Sequence, residues 1–279
     1  MDIKSVMKKY GIKADKRLGQ HFLADERPIA AMLEAARLSP EDCVLEIGPG
    51  IGVLTEKLCQ RAKKVVAVEK DRNLIPVLES MTGIFENVCI IEEDVLKLDL
   101  ELLKKRYFMS DFKVVANLPY YITSPIIMKL VNHRRLVKLA VIMVQKEVAR
   151  RLSALPGGKD YGVLSVAVQL YADVDMVCEV GRDAFVPPPK VDSAVVRIVF
   201  KSEPRVKLED EDAFFKVVEA AFGQRRKILR NSLKSGLALC GISPEKIDNA
   251  LEKAGIDPAR RGETLSIEEF AKLSALLRY

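Results

Sequence analysis

Asn117-Leu118-Pro119-Tyr120 follow a short apolar run at 114–116, and their residue types suit one kind of chemistry. An amine attached to an aromatic ring is a poor nucleophile, because its lone pair is delocalised into the ring. The side-chain oxygen of Asn117 and a backbone carbonyl, from Leu118 or Pro119, can accept both N–H bonds of such an amine. Those bonds favour a pyramidal nitrogen whose lone pair points at an electrophile. Tyr120 can stack on the ring and keep the geometry in line. Read alone, the same four residues also make a plain turn with Tyr120 in the core.

A second group lies upstream. Glu46-Ile47-Gly48-Pro49-Gly50-Ile51-Gly52 ends an apolar run at 43–47 and opens a helical run at 53–61. Glycines there permit a tight turn and close approach of the backbone to a ligand at the carboxyl edge of a sheet. A dinucleotide-binding turn would place its third small residue at 53, but that position is Val and the third glycine comes one residue early. The spacing GxGxG instead resembles the first motif of class I methyltransferases that use S-adenosylmethionine. Glu69 stands 21 residues after Gly48, at the end of the next apolar run, where a carboxylate can accept both ribose hydroxyls. Asp94 follows the run at 88–91 and can accept from an adenine amine. Either acid alone would also serve as an ordinary surface carboxylate. The Asn117 tetrad resembles the motif of enzymes that methylate exocyclic amines of bases. A sulfonium donor is already activated, so two histidines in 279 residues are enough.

These groups need a scaffold that brings strand ends together. Apolar runs at 43–47, 65–68, 88–91, 114–116 and 139–144 alternate with helix-period segments. Strands this apolar belong in a parallel sheet covered on both faces, which predicts a doubly wound α/β domain with a Rossmann-like sheet. Runs at 176–180 and 194–200 flank Pro187-Pro188-Pro189 and predict an antiparallel hairpin at the sheet edge. After Lys201 the pattern is helical only. An apolar stripe occupies 213–222, Ser243-Pro244 offers an N-cap with Pro at the first helical position, and Ser266 with Glu269 forms a capping box. The boundary falls near 203–209, giving a methyltransferase domain at 1–205 with a basic N-terminal segment and a small all-helical domain at 206–279.

Composition bounds the rest. Hydrophobic residues make up 49% and charged residues 30%, enough for a packed core. A net charge of +6 is compatible with a polyanionic partner. Five cysteines without a CxxC pair argue against a disulfide framework or a zinc cluster, and for reduced thiols inside a cell. Lys4, Lys8, Lys9, Lys13, Lys16 and Arg17 lack the apolar segment of a secretory signal, and no run is long enough to span a bilayer. No metal, no membrane and a cytoplasmic, monomeric protein are the expectations.

The motifs together resemble the ribosomal RNA small-subunit adenine N6,N6-dimethyltransferase family from end to end. Leu18-Gly19-Gln20-His21-Phe22-Leu23 resembles the family's N-terminal signature, which lies over the cofactor. The segment from Phe185 through Pro187, Pro188, Lys190 and Val191 to Asp192-Ser193 resembles its late loop, whose aromatic stacks on the target adenine. Phe222, Arg225-Arg226-Lys227 and Asn231-Ser232-Leu233 resemble its C-terminal signature. The resemblance implies cofactor contacts from His21, Leu23, Gly48, Gly50, Gly52, Glu69, Asp94 and Asn117. It assigns Asn117, Leu118, Pro119, Tyr120 and Phe185 to the acceptor base. Position 21 is often Asn in relatives; His can still bond the cofactor's carboxylate, with a dependence on pH.

Gly223 to Ser235 holds Arg225, Arg226, Lys227, Arg230 and Lys234 without an acid, a pattern suited to phosphate contacts or to a solvated face. Part of that cluster could equally pair with acids of the helical domain. The implied activity is dimethylation of two adjacent adenosines in a small-subunit rRNA hairpin, within a pre-30S particle, releasing S-adenosylhomocysteine. Rivals are a large-subunit rRNA adenine methyltransferase of the antibiotic-resistance type and a ribosome-assembly factor that binds RNA without catalysis. A dehydrogenase is disfavoured by Val53 and the Asn117 tetrad.

Overall fold

The structure, a computed structural model, describes residues 3–15 and 18–277. Lys16 and Arg17 of the basic N-terminal segment lie outside the described residues. The chain divides into two compact units, residues 1–149 with 173–202 and residues 150–172 with 203–279.

Among the described residues the first unit is built on the strands β1 (Phe22–Leu23), β2 (Cys43–Ile47), β3 (Lys64–Glu69), β4 (Val88–Glu92), β5 (Phe112–Asn117), β6 (Val137–Gln145), β7 (Ala172–Val180, whose first residue groups with the second unit), β8 (Phe185–Val186) and β9 (Ser193–Phe200). Its helices are α1 (Ile3–Lys9), α2 (Glu26–Ala36), α3 (Val53–Cys59), α4 (Ile75–Thr82), α5 (Leu100–Leu103) and α6 (Thr123–Asn132). Seven strands form one sheet in the order β4-β3-β2-β5-β6-β9-β7, and β1 pairs with β8 in a separate ribbon. β2 through β6 are parallel, and β9 runs antiparallel to β6. The runs near 176–180 and 194–200 therefore lie side by side at the edge, as expected. Every residue of β2 and nearly every residue of β3 is buried. Strands rich in Val and Ile with both faces covered need helices above and below, and the intervening segments supply them. On one face α2 contributes Ile29, Met32, Leu33 and Ala36 to a core shared with Val115, Val141, Met143 and Val195. α2 starts where Asp25 accepts from the Arg27 N–H, satisfying one of the orphan donors of a first turn.

The second unit carries α7 (Lys146–Ser153, whose first residues belong to the first unit), α8 (Val163–Gln169), α9 (Glu211–Phe222), α10 (Leu229–Leu237), α11 (Pro244–Ala254) and α12 (Ile267–Leu276). The caps read from sequence are in place. Ser243 accepts from the Lys246 N–H, and Ser266 with Glu269 forms a reciprocal capping box. The acidic run 209–212 opens α9, with Asp210 as its N-cap. Residues 150–172, placed by the sequence boundary with the sheet, group with the helices instead. The physical reason is local: the fully buried Tyr161 packs edge-on against Phe222 at 5.8 Å, and Phe222 in turn meets Phe270 at 5.9 Å. Aromatic pairs of this kind contribute about 0.5–1.5 kcal/mol beyond their burial. Among the described residues, no helix is long and apolar enough to cross a membrane, and no cluster of His, Cys, Asp and Glu could hold a metal ion.

Candidate active site

In the parallel part of the sheet, β3 and β4 lie to one side of β2, and β5 and β6 to the other. The loops after β2 and β5 diverge at that switch in order, so a crevice opens over the carboxyl ends of the strands. A cleft of about 1040 Å³, open to solvent, occupies it and is lined by the glycine loop, the end of β3 and residues 117–122. His21, Leu23, Gly48, Gly50, Glu69, Asp94, Asn117, Leu118, Pro119 and Tyr120 all line this cleft; Gly52 and Phe185 do not.

The glycine loop explains its composition. Gly48, Gly50 and Gly52 have φ of 66°, 60° and 90°, in the left-handed region. A Cβ on Gly52 would also stand 2.9 Å from Leu78 Cδ1. Gly52 thus shapes the turn into α3 without touching the cleft. Gly48 N–H donates to the Val68 carbonyl at 3.0 Å, carrying the β2–β3 ladder into the loop.

Glu69, 7% exposed, accepts from the backbone N–H groups of Gly50 (3.1 Å), Lys70 (2.8 Å) and Asp71 (2.8 Å). Burial pushes its carboxyl above the usual range, and these N–H groups oppose that rise. A carboxylate offers about four acceptor sites. Three are taken, which leaves capacity for one well-formed hydroxyl bond rather than the two expected from the sequence. Asp94 differs. Lys70 Nζ lies 2.9 Å from its Oδ2 and the Leu96 N–H donates to Oδ1 at 3.0 Å, so its pKa falls, chiefly through Lys70, and it stays ionised. Glu46, which the sequence reading named only as the start of the glycine motif, also lines the cleft. It is 1% exposed, Oε2 has no partner, and burial with the nearby Glu69 charge pushes its pKa up to about 8. Gln20, likewise unassigned, holds the N-terminal segment to the cleft: its Nε2 donates to Asp71 Oδ2 at 2.7 Å and its Oε1 accepts the Asp15 N–H at 2.8 Å.

Asn117 is the last residue of β5. Its Nδ2 faces the His21 carbonyl at 3.4 Å, which can only accept, so Oδ1 is turned the other way. Oδ1 is buried and has no partner. Leaving such an acceptor unpaired costs about 1–3 kcal/mol, which a bound donor would recover. Of the two candidate carbonyls, that of Pro119 already accepts from the Ile122 N–H (3.2 Å) and Thr123 Oγ1 (3.1 Å), which favours Leu118. The Tyr120 ring stacks against His21, centroids 5.8 Å apart, and its hydroxyl bonds Ser193. His21 Nδ1 lies 2.8 Å from the Pro187 carbonyl and must donate to it. In the neutral ring Nε2 is then an acceptor, so a bond from Nε2 to a carboxylate requires the imidazolium.

Phe185 lies elsewhere. Opposite Leu23 in the β1–β8 ribbon, it is 2% exposed and its ring joins the apolar core with Ile29 and Leu33. Alternation along the ribbon sends Phe22 and Val186 to a different cluster, with Ile51 and Leu74. The ring expected to stack on a base is packed in the core.

In the second unit the basic cluster is split by its partners. Arg225 donates to the carbonyls of Lys159 (2.7 Å) and Tyr161 (2.9 Å) and lies 3.5 Å from Glu263. Arg230 makes a bidentate pair with Asp248, which Lys234 joins at 3.0 Å. Arg226 and Lys227 are exposed and carry no side-chain bond among the described residues. Three of the five basic residues thus serve internal contacts of the helical unit.

The chain matches known proteins over nearly its whole length. The family model described as ribosomal RNA adenine dimethylase matches residues 11–278. A ribosomal RNA small subunit methyltransferase A of Geobacillus sp. (strain WCH70) is 49% identical, covering 99% of this chain and 96% of that protein. Its counterpart from Clostridium botulinum (strain Langeland) is 47% identical, covering 98% of each. Among solved structures, a dimethyladenosine transferase from Plasmodium falciparum superposes with a TM-score of 0.76 at 30% identity, over 91% of this chain and 96% of that one. The 23S rRNA methyltransferase ErmE follows at 0.70 and 28%, over 92% and 99%. The family match spans nearly the whole sequence, and the chain belongs to the ribosomal RNA adenine dimethylase family.

Proposed function

We propose that this protein dimethylates N6 of two adjacent adenosines in a hairpin loop of small-subunit rRNA, with S-adenosylmethionine as donor. The single observation that carries the reading is the buried, unpartnered Oδ1 of Asn117 at the β5 edge of the cleft. It is an acceptor waiting for an N–H. Asn117 Oδ1 and the Leu118 carbonyl accept hydrogen bonds from the two amine N–H groups, and Tyr120 stacks on the base and holds it. Orientation of this kind is where much of the rate arises, because no strong base is needed. Phe185, packed in the core, is not free to stack on a base, which supports Tyr120 as the stacking surface.

The cleft fits the donor. Bound S-adenosylmethionine supplies an electrophilic methyl group on a sulfonium. The remaining acceptor site of Glu69 takes a ribose hydroxyl, and ionised Asp94 accepts from the adenine amine. Gly48 and Gly50 let the backbone come close to the ligand, while Leu23 supplies apolar contact. His21 meets the donor's carboxylate only as imidazolium.

Small-subunit rRNA is favoured over large-subunit rRNA by the curated relatives, named for the small subunit at 49% and 47% identity, against 28% for the 23S enzyme. We place the protein in the cytoplasm as a monomer acting on a pre-30S particle, with Arg226 and Lys227 as phosphate contacts. Arg225, Arg230 and Lys234 serve mainly the helical unit itself.

Incubation with labelled S-adenosylmethionine and undermethylated small-subunit particles should yield dimethyladenosine in the small-subunit RNA alone. Label confined to large-subunit RNA, assayed in parallel, would overturn the assignment. Glu69→Gln should weaken S-adenosylmethionine binding by about tenfold or more, the size of one hydrogen bond to a charged group. An unchanged dissociation constant removes Glu69 from the ribose. Reversing both Arg226 and Lys227 to Glu should lower RNA affinity and reduce the salt slope by about 1 per lost phosphate contact. Arg225→Ala should instead lower thermal stability; equal effects of both changes on RNA binding would refute the split.

A further inference from the structure

We propose that Ser193 is a positioning residue for methyl transfer, fixing the ring of Tyr120 at the acceptor site through its hydroxyl; the proposal rests on the reading of that site given above. Tyr120 opens a three-residue turn of 3-10 helix directly after Pro119. A short turn at the lip of a cleft leaves a tyrosine ring free to swing about two side-chain torsions. Two contacts remove that freedom. One ring face lies against His21, and the phenol oxygen at the far end bonds Ser193 Oγ.

The anchor is rigid where the ring is not. Ser193 is fully buried and is the first residue of β9, paired across the sheet with Gln145 at the end of β6. Its position is therefore set by a strand in the body of the sheet, 73 residues away in sequence from Tyr120. The bond joins two neutral hydroxyls, and burial keeps the phenol protonated by raising its pKa. Its effect is geometric, with no proton passed. The demand on that geometry is greatest for the second methyl, because a monomethylated amine is bulkier and must be realigned with one N–H fewer to guide it.

The test uses Ser193→Ala, Tyr120→Phe and the double variant of the full chain, assayed on undermethylated small-subunit particles under single-turnover conditions. Each single variant should slow transfer about fivefold to tenfold, the value of one lost hydrogen bond. RNA affinity should stay within about twofold of the unaltered protein, and the share of monomethyladenosine should rise. The double variant should be no slower than the slower single one, because both remove the same bond. Losses that multiply in the double variant overturn the proposal, as do unchanged rates with an unchanged ratio of mono- to dimethyladenosine. A purely structural role for Ser193 would lower the folded fraction without moving that ratio. Should Ser193→Ala fail to fold, Tyr120→Phe carries the test by itself, since a normal rate and ratio there exclude the role. Absence of transfer by the unaltered protein would defeat the site reading itself, a result separable from all of these.

Discussion

The seam between β2 and β5 is the constraint on which the site depends. Strands leave it in opposite directions, β3 and β4 to one side and β6 to the other, so the following loops part over the carboxyl ends. One loop must turn sharply enough to start a helix, and three left-handed glycines meet that requirement. The other must end a strand and still present an amide, and Asn117 does so as the last residue of β5. Neither loop makes a site alone. The N-terminal segment completes the cleft, tied to it by Gln20 with Asp71 and by the His21 carbonyl with Asn117.

Carboxylates of one chemical kind are set apart by their surroundings. Glu46 is fully buried, Thr55 only partly opposes the rise, and its pKa is pushed up to about 8, so at neutral pH it is held largely protonated. Glu69 is nearly as buried, yet backbone N–H groups surround it and temper the rise. Asp94 is less buried, and Lys70 holds its carboxyl below the usual range. Along one cleft wall the acids thus differ in charge preference because burial competes with different donors. In the proposed function, an acceptor for a ribose hydroxyl and an ionised acceptor for an amine are separate requirements, which Glu69 and Asp94 would answer separately.

Features governed by near neighbours were legible in the sequence. The alternation of apolar runs with helical segments placed the strands, and Ser243 and Ser266 announced their helices because caps act within one turn. Most of the cleft was legible for the same reason, since its residues sit at strand ends that the runs define. What escaped was decided by contacts distant in sequence. Phe185 is buried because a two-residue ribbon pairs it with Leu23, and no periodicity reveals a ribbon that short. Residues 150–172 join the helical unit through Tyr161 and Phe222. Arg225 finds its carbonyl partners 64 and 66 residues upstream, which a charge count cannot show. Glu46 stood beside the glycines in plain view, but its burial depends on the whole sheet.

The unpaired oxygen of Asn117 carries the central claim, and Asn117→Ala tests it most directly. Single-turnover transfer to undermethylated small-subunit particles should be measured beside the dissociation constant for S-adenosylmethionine. Transfer should fall by about a hundredfold or more, as when one preorganised polar group is removed from a transition state, while the dissociation constant moves by only about threefold. Near-normal transfer by the variant would contradict the claim that Asn117 aligns the amine. Lost transfer together with lost cofactor binding would place Asn117 with the donor rather than with the base.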